Sequence, residues 1–311
     1  MTPLQITFLV IFIVAVCAVV FFFVACEFRY VMALKRKSLM ARLVTFYTFK
    51  HINKYKIDLT WWKDIKYKEV TIQSFDNLKL VGYFINNNTD KFALVVHGYG
   101  ARAKEMQQYV KLFYELGYNV LAVDDRGHGK SEGKHITMGY FDKYDVSDWV
   151  KYLTANYPNS KIVVFGLSMG ASTVSLYSAM KKPKNVKAII SDCGYSSAYD
   201  VINNISIKSV IFSILPTMRV FNWYCKFRVK FKLTDIDVKK TLKRCNVPIL
   251  FIHGDKDKFV PFYMRDLLYN NTPKNLRYKI TINGATHAES IAKDFPKYKQ
   301  TVKQFLDQFI V

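Results

Sequence analysis

Residues 161–180 read KIVVFGLSMGASTVSLYSAM, and their character changes within a single residue. Val163, Val164 and Phe165 are an apolar, β-branched run that ends abruptly, the pattern of a short buried strand. From Ala171 to Met180 small and apolar residues follow without a breaker, the pattern of a helix. Ser168 stands on the turn between them, flanked by Gly166 and Gly170. A strand that becomes a helix so quickly forces strained backbone angles, and the glycines remove the Cβ atoms that would clash. Such a turn lifts the serine hydroxyl out of the sheet and aims the helix amino terminus at it.

On both sides of this unit strands and helices alternate. Two strands are expected at 67–75 and 78–85, joined through the turn residues Asp76 and Asn77. A strand at 92–96 ends at His97-Gly98, a helix at 103–116 stops at Gly117, a strand follows at 120–123, and a helix spans 140–157. Beyond the serine come strands at 186–190, 249–253 and 277–282, a helix at 261–269, and a carboxy-terminal helix from Glu289. Nearly all-apolar strands alternating with helices imply an α/β fold, with a mostly parallel sheet covered on both faces. Ligands of such sheets bind beyond the carboxyl ends of the strands. The stretch 194–245 breaks the alternation, and about 196–236 is expected to be an insertion over the site. Within it, residues 225–233 alternate basic and apolar side chains, as an extended edge with one wet face or a surface touching membrane or substrate would.

The chain has 311 residues, 50% of them hydrophobic, and a formal charge of +22. Ile6 to Cys26 are uncharged and mostly apolar, and as a helix they would run about 31 Å, enough to cross a bilayer core. No Lys or Arg precedes Ile6, so an uncleaved anchor is favoured over a signal peptide. The expected organisation is a tail at 1–5, a transmembrane anchor at 6–26, a basic juxtamembrane linker at 27–60 and a catalytic domain at 61–311. The linker holds Arg29, Lys35, Arg36, Lys37, Arg42, Lys50, Lys54 and Lys56 against the single acid Glu27. Positive flanks stay cytoplasmic, which puts the amino terminus outside, the large domain inside and an anionic membrane surface as partner. No nucleic-acid motif accompanies the charge, so nucleic acid is not the expected partner. Five scattered cysteines give neither a disulfide framework nor zinc spacing, so no metal is expected.

Ser168 needs a base, an orienting acid and oxyanion donors to act as a nucleophile. His287, in the loop 284–287 just past the last strand, is the favoured base; His51, His97, His128, His135 and His253 are placed less well. After the preceding strand, Asp257 is favoured over Asp255, which lies so close to the strand end that it is expected to tighten the turn. The expected oxyanion donors are the backbone N–H groups of Met169 and, in a glycine-rich loop, Tyr99. His97, Gly98, Gly166 and Gly170 support the site.

With Ser168, Asp257 and His287 in that order, the chain resembles the α/β-hydrolases, in particular the serine aminopeptidase-like and lysophospholipase-like ester hydrolases of bacteria. The matching segments are HGYG at His97, DDRGHGKSEG at Asp124, GLSMG at Gly166, HGDKDKFVP at His253 and GATHAES at Gly284. The resemblance implies an eight-stranded sheet with a small helical cap, and supporting roles for Asp124 and Arg126. The expected function is a membrane-anchored serine hydrolase that cleaves a small-molecule or lipid-derived carboxylic ester through an acyl-enzyme, with no cofactor. A peptidase or amidase using the same residues and a non-catalytic tethered binding protein are the alternatives. Apolar cap residues (Ile211, Phe212, Ile214, Leu215, Phe221, Trp223) would suit an acyl or aromatic pocket or ordinary core. Oligomeric state has no signature in the sequence.

Overall fold

The computed structural model describes residues 1–53, 60–207 and 218–310. Lys54 and Lys56 of the expected linker, and Ile211, Phe212, Ile214 and Leu215 of the expected cap, lie outside the described residues. The strands are β1 (Lys68–Gln73), β2 (Lys79–Ile85), β3 (Lys91–Val96), β4 (Asn119–Val123), β5 (Lys161–Leu167), β6 (Val186–Asp192), β7 (Ile249–Gly254) and β8 (Arg277–Ile282). They form one eight-stranded sheet in the order β1-β2-β4-β3-β5-β6-β7-β8. The β1–β2 and β2–β4 pairs are antiparallel and the others parallel. Val96 of β3 stands in register with Gly166 of β5, so the loop after His97 and the turn at Ser168 emerge side by side.

The helices are α1 (Pro3–Ala33), α2 (Leu39–Asn53), α3 (Trp61–Asp64), α4 (Gln107–Glu115), α5 (Asp142–Asn156), α6 (Met169–Tyr177), α7 (Ala198–Ile207), α8 (Met218–Arg228), α9 (Val238–Leu242), α10 (Tyr263–Asn270), α11 (Ser290–Lys293) and α12 (Phe295–Asp307). They cover both faces of the sheet, which explains why its inner strands lack the polar alternation that the edge strands β1 and β8 keep. Phe92, Leu94 and Val96 of β3 belong to one core layer, which also holds buried residues of α5, α6, α9 and α10, while Ala93 and Val95 belong to the opposite layer with those of α4 and α12. In α12 the buried Tyr298, Val302, Phe305 and Leu306 recur at helical spacing along one face.

Two expectations from the sequence are corrected. Residues 225–228 are the last turn of α8 rather than an extended edge. The buried Met218, Phe221, Tyr224 and Cys225 follow helical spacing, and that longer pattern overrides the short alternation. Of the expected cap residues, Phe221 is buried while Trp223 is exposed. The carboxy-terminal helix is divided, because Asp294 caps α12 by accepting from the Lys297 N–H and Pro296 opens the new helix.

The apolar helix expected at 6–26 is part of a longer one. Along α1 the residues through Val24 are exposed, and the helix carries an 18-residue window of mean hydropathy 3.3 that fits a membrane anchor. From there Ala25, Cys26, Arg29, Tyr30 and Ala33 form a buried stripe against the globular core. The Tyr30 hydroxyl meets Nδ1 of His135 at 2.7 Å, Arg36 donates to the carbonyls of Gly129 and Gly133, and Glu27 pairs with Arg228 of α8. The first part of the expected linker is thus seated on the globular core.

Candidate active site

Ser168 sits between β5 and α6 with φ 53° and ψ −110°, so the strain of the turn is carried by the serine itself. Holding a non-glycine residue there costs about 1–3 kcal/mol. The turn persists because its neighbours close tightly around it. A Cβ on Gly166 would lie 2.2 Å from the carbonyl oxygen of Gly170, and one on Gly170 would lie 2.4 Å from that of Val96. The Ser168 N–H donates to the Asp192 carbonyl at 2.8 Å, tying the turn to β6.

The serine hydroxyl lies 2.9 Å from Nε2 of His287, whose Nδ1 lies 2.7 Å from Oδ2 of Asp257. Asp257 Oδ1 accepts the backbone N–H groups of Phe259 and Val260, each at 2.9 Å. Nε2 of His253 is 3.2 Å from Oδ2, completing a cage of donors around a carboxylate that is 4% exposed. Burial alone would raise the Asp257 pKa, but the His287 and His253 imidazoles outweigh it and hold the group well below the usual carboxylate range. With Asp257 ionised, Nδ1 of His287 carries the donated proton, and Nε2 is left as an acceptor for the serine hydroxyl.

Met169 is the first residue of α6, so its N–H belongs to the unpaired amides of the helix amino terminus. Tyr99 follows β3 in the adjacent loop, and its hydroxyl is held by the Ala33 carbonyl at 2.6 Å. The sheet therefore gathers Ser168, Asp257, His287 and the loop bearing Tyr99 at one carboxyl-end rim.

A sequence model of the family described as "Serine aminopeptidase, S33" matches residues 87–226. The chain is 29% identical over 234 residues to the uncharacterised protein YqkD of Bacillus subtilis, covering 73% of this chain and 74% of the relative. It is 24% identical to lysophosphatidylserine lipase ABHD12 of Mus musculus over 69% of its own length, and spans about half (51%) of that relative. The structure of the esterase Pf2001 from Pyrococcus furiosus superposes with a TM-score of 0.67 at 27% identity, covering 81% of this chain and 94% of that one. The chain belongs to the α/β-hydrolase superfamily.

Within this hydrolase His97, His128 and His135 are engaged elsewhere, while His253 supports Asp257. His97 is fully buried, with Nε2 accepting from the Asp125 N–H and Nδ1 donating to the Gly98 carbonyl. Burial lowers its pKa to about 4, so it stays neutral and braces the loop that carries Tyr99. His128 is likewise buried and lowered to about 3 by burial and by the neighbouring His97, and its Nε2 accepts from the Gly100 N–H. His135 meets Tyr30, and His51 belongs to α2. Asp255 accepts from the Gly284 N–H at 2.6 Å, fastening the turn after β8. Asp124 accepts from the Ala103 and Lys130 N–H groups, and Arg126 grips Asp145 and Asp76, so both brace loops away from the serine.

Three features of the hydrolase site escape a reading of its motifs. Cys193, Asp257 and His287 place ligand-capable atoms within 4.8 Å of one another. The Asp257 and His287 atoms are bonded to each other, while burial pushes the Cys193 thiol well up and keeps it neutral. Asp192 is buried beside this group and accepts from the Tyr298 hydroxyl at 2.9 Å. Finally, Ala33, Leu34 and Met40 line an apolar cavity that reaches Ser168. No local pattern marks those residues, because their role depends on contacts with chain segments far away in sequence.

Proposed function

We propose that this α/β-hydrolase is a serine esterase, with Ser168 as nucleophile, His287 as general base and acid, and Asp257 as the residue that orients and stabilises the imidazole. The observation that carries this is the unbroken relay of 2.9 Å and 2.7 Å from the hydroxyl to the carboxylate. Ser168 Oγ attacks the ester carbonyl as its proton passes to His287 Nε2, and the Met169 and Tyr99 N–H groups receive the developing oxyanion. Collapse breaks the ester bond, and His287 returns the proton to the departing alcohol. Water then gives a proton to His287 and attacks the acyl-enzyme; collapse releases the acid and restores the serine hydroxyl. Each oxyanion donor contributes about 2.7–4 kcal/mol in comparable sites.

The esterase and lipase relatives support a small-molecule or lipid-derived ester, and the exposed part of α1 supports a single-pass anchor. The basic residues that follow α1 favour an outside amino terminus and a catalytic domain on the cytoplasmic face, against anionic lipid. The description of the matching family favours a second possibility, cleavage of aminoacyl amides by the same residues. Matched aryl esters and aminoacyl anilides separate the two by their kcat/KM values. The nucleophile is tested by treating wild type and Ser168→Ala in membranes with an active-serine organophosphonate. Labelling is expected only in wild type, with turnover falling on the order of 10⁶ in the variant. Equal labelling and turnover in the variant would overturn the assignment.

A further inference from the structure

The helix α8 carries two aromatic side chains on its outer face. Trp223 and Phe227 are 59% and 57% exposed, and their ring centroids stand 4.4 Å apart. Val220, one turn before Trp223, is exposed beside them. A large apolar residue exposed on its own is ordinary, but three that adjoin on one helix form a patch suited to a partner. On the other side of the helix Met218, Phe221, Tyr224 and Cys225 are buried and hold α8 to the hydrolase, so the core does not need the outer patch.

What the patch faces follows from how α8 meets α1. The Tyr224 ring packs edge-on against Phe23, with centroids 5.7 Å apart, and its hydroxyl donates to the Glu27 carboxylate. Arg228 pairs with the same carboxylate and lies 4.2 Å from the centre of the Tyr30 ring, while Arg29 reaches the Met218 sulfur at 3.2 Å. Cys26 ends the uncharged run of α1 and Glu27 is the first ionisable residue after it, so these contacts straddle the level at which the helix leaves the hydrocarbon. Successive residues of a helix turn by about 100°. Going round α8 from the side that meets α1, Arg228 and Tyr224 come first, then Val220, Phe227 and Trp223, and then Arg219 and Lys226. The apolar strip therefore lies between the α1 contact and a pair of exposed cations.

We infer that α8 is a second membrane contact, a short interfacial helix whose Val220, Trp223 and Phe227 enter the headgroup layer of an anionic bilayer beside α1. This rests on α1 as the anchor and not on the catalytic assignment. Aromatic rings settle at the boundary between headgroups and hydrocarbon, and basic residues at their flank are drawn to anionic lipid. The patch has both, at the level that the α1 contact fixes. Held by α1 alone, the hydrolase could lean in any direction; a contact on this flank tips it towards α8.

The test uses the full-length protein, floated with vesicles whose phospholipids are brominated close to the headgroup, so that tryptophans at that depth lose emission. Trp61, Trp62 and Trp149 are buried or half-buried, which leaves Trp223 as the exposed reporter. In anionic vesicles wild type is expected to lose at least about twice as much emission as Trp223→Phe. Arg219→Glu/Lys226→Glu is expected to cut the share due to Trp223 by at least about half in anionic vesicles and to leave it unchanged in neutral ones. Equal losses by wild type and Trp223→Phe would overturn the proposal. So would a dimer in vesicles that Trp223→Asp dissolves, which would assign the patch to a second copy. An unaltered loss in the charge-reversed variant would overturn the choice of anionic lipid. Wild type that fails to float would overturn the anchor and the docking together, whereas floating protein with Trp223 unquenched would overturn the docking alone.

Discussion

Two carboxylates lie buried near the same pair of histidines and are driven in opposite directions. Asp257 is caged by donors and held low, whereas burial raises Asp192 to about 7, with the Tyr298 hydroxyl and the two imidazoles only partly offsetting it. A carboxyl raised in the folded state keeps a proton that the unfolded chain has released. Its ionisation therefore costs stability progressively from about pH 4 to about pH 7, and the full cost is present above that window. Asp192→Asn preserves the shape of the neutral group and is expected to raise Tm relative to wild type by several degrees more at pH 8 than at pH 4.5. Thermal melts of the detergent-solubilised protein check this, and an identical offset at both values would show that Asp192 does not titrate differently on folding. Ser168, His287 and Asp257 were each legible as strand-end residues, since their chemistry and order are local facts. Asp192 was not, because what sets it apart is burial by α12, more than a hundred residues further along the chain.

Individual elements were readable where one face or one turn decides them. The strand at β5, the turn at Ser168 and the helix α6 follow from a single stretch, and the buried strands follow from their unbroken apolar runs. Residues 225–233 misled because their alternation of basic and apolar side chains is read locally, whereas the helical spacing of Met218, Phe221, Tyr224 and Cys225 carries the helix through Arg228. The elbow itself offers a test of tight packing against simple backbone preference. Gly166→Ala places a Cβ 2.2 Å from a backbone oxygen and is expected to cost more than about 3 kcal/mol. Gly117→Ala, at φ 83° with nothing within 4 Å, is expected to cost only about 1 kcal/mol. Urea midpoints of the two variants compare these directly, and similar losses would mean that the elbow tolerates repacking.

At the scale of the molecule, the division into anchor, linker and catalytic domain describes the sequence better than the structure. Composition marks where α1 is apolar, but the seat of residues 25–41 depends on partners such as His135 and Arg228, and no window of sequence contains both sides. Deleting residues 1–20 removes only exposed turns of α1, and organophosphonate labelling in detergent is expected to stay within about twofold of wild type. Deleting 1–41 strips Tyr30, Ala33, Leu34 and Met40 from the core and site, and is expected to lower Tm and labelling sharply. Equal behaviour of the two truncations would show that the segment is dispensable to the hydrolase. α1 also runs without a break from its exposed stretch into its buried one. A continuous helix is stiff, so a change of lean in the bilayer rotates the whole hydrolase with it. Thicker or thinner membranes set that lean, and the height and angle at which the mouth of the site meets the lipid headgroups would change with them.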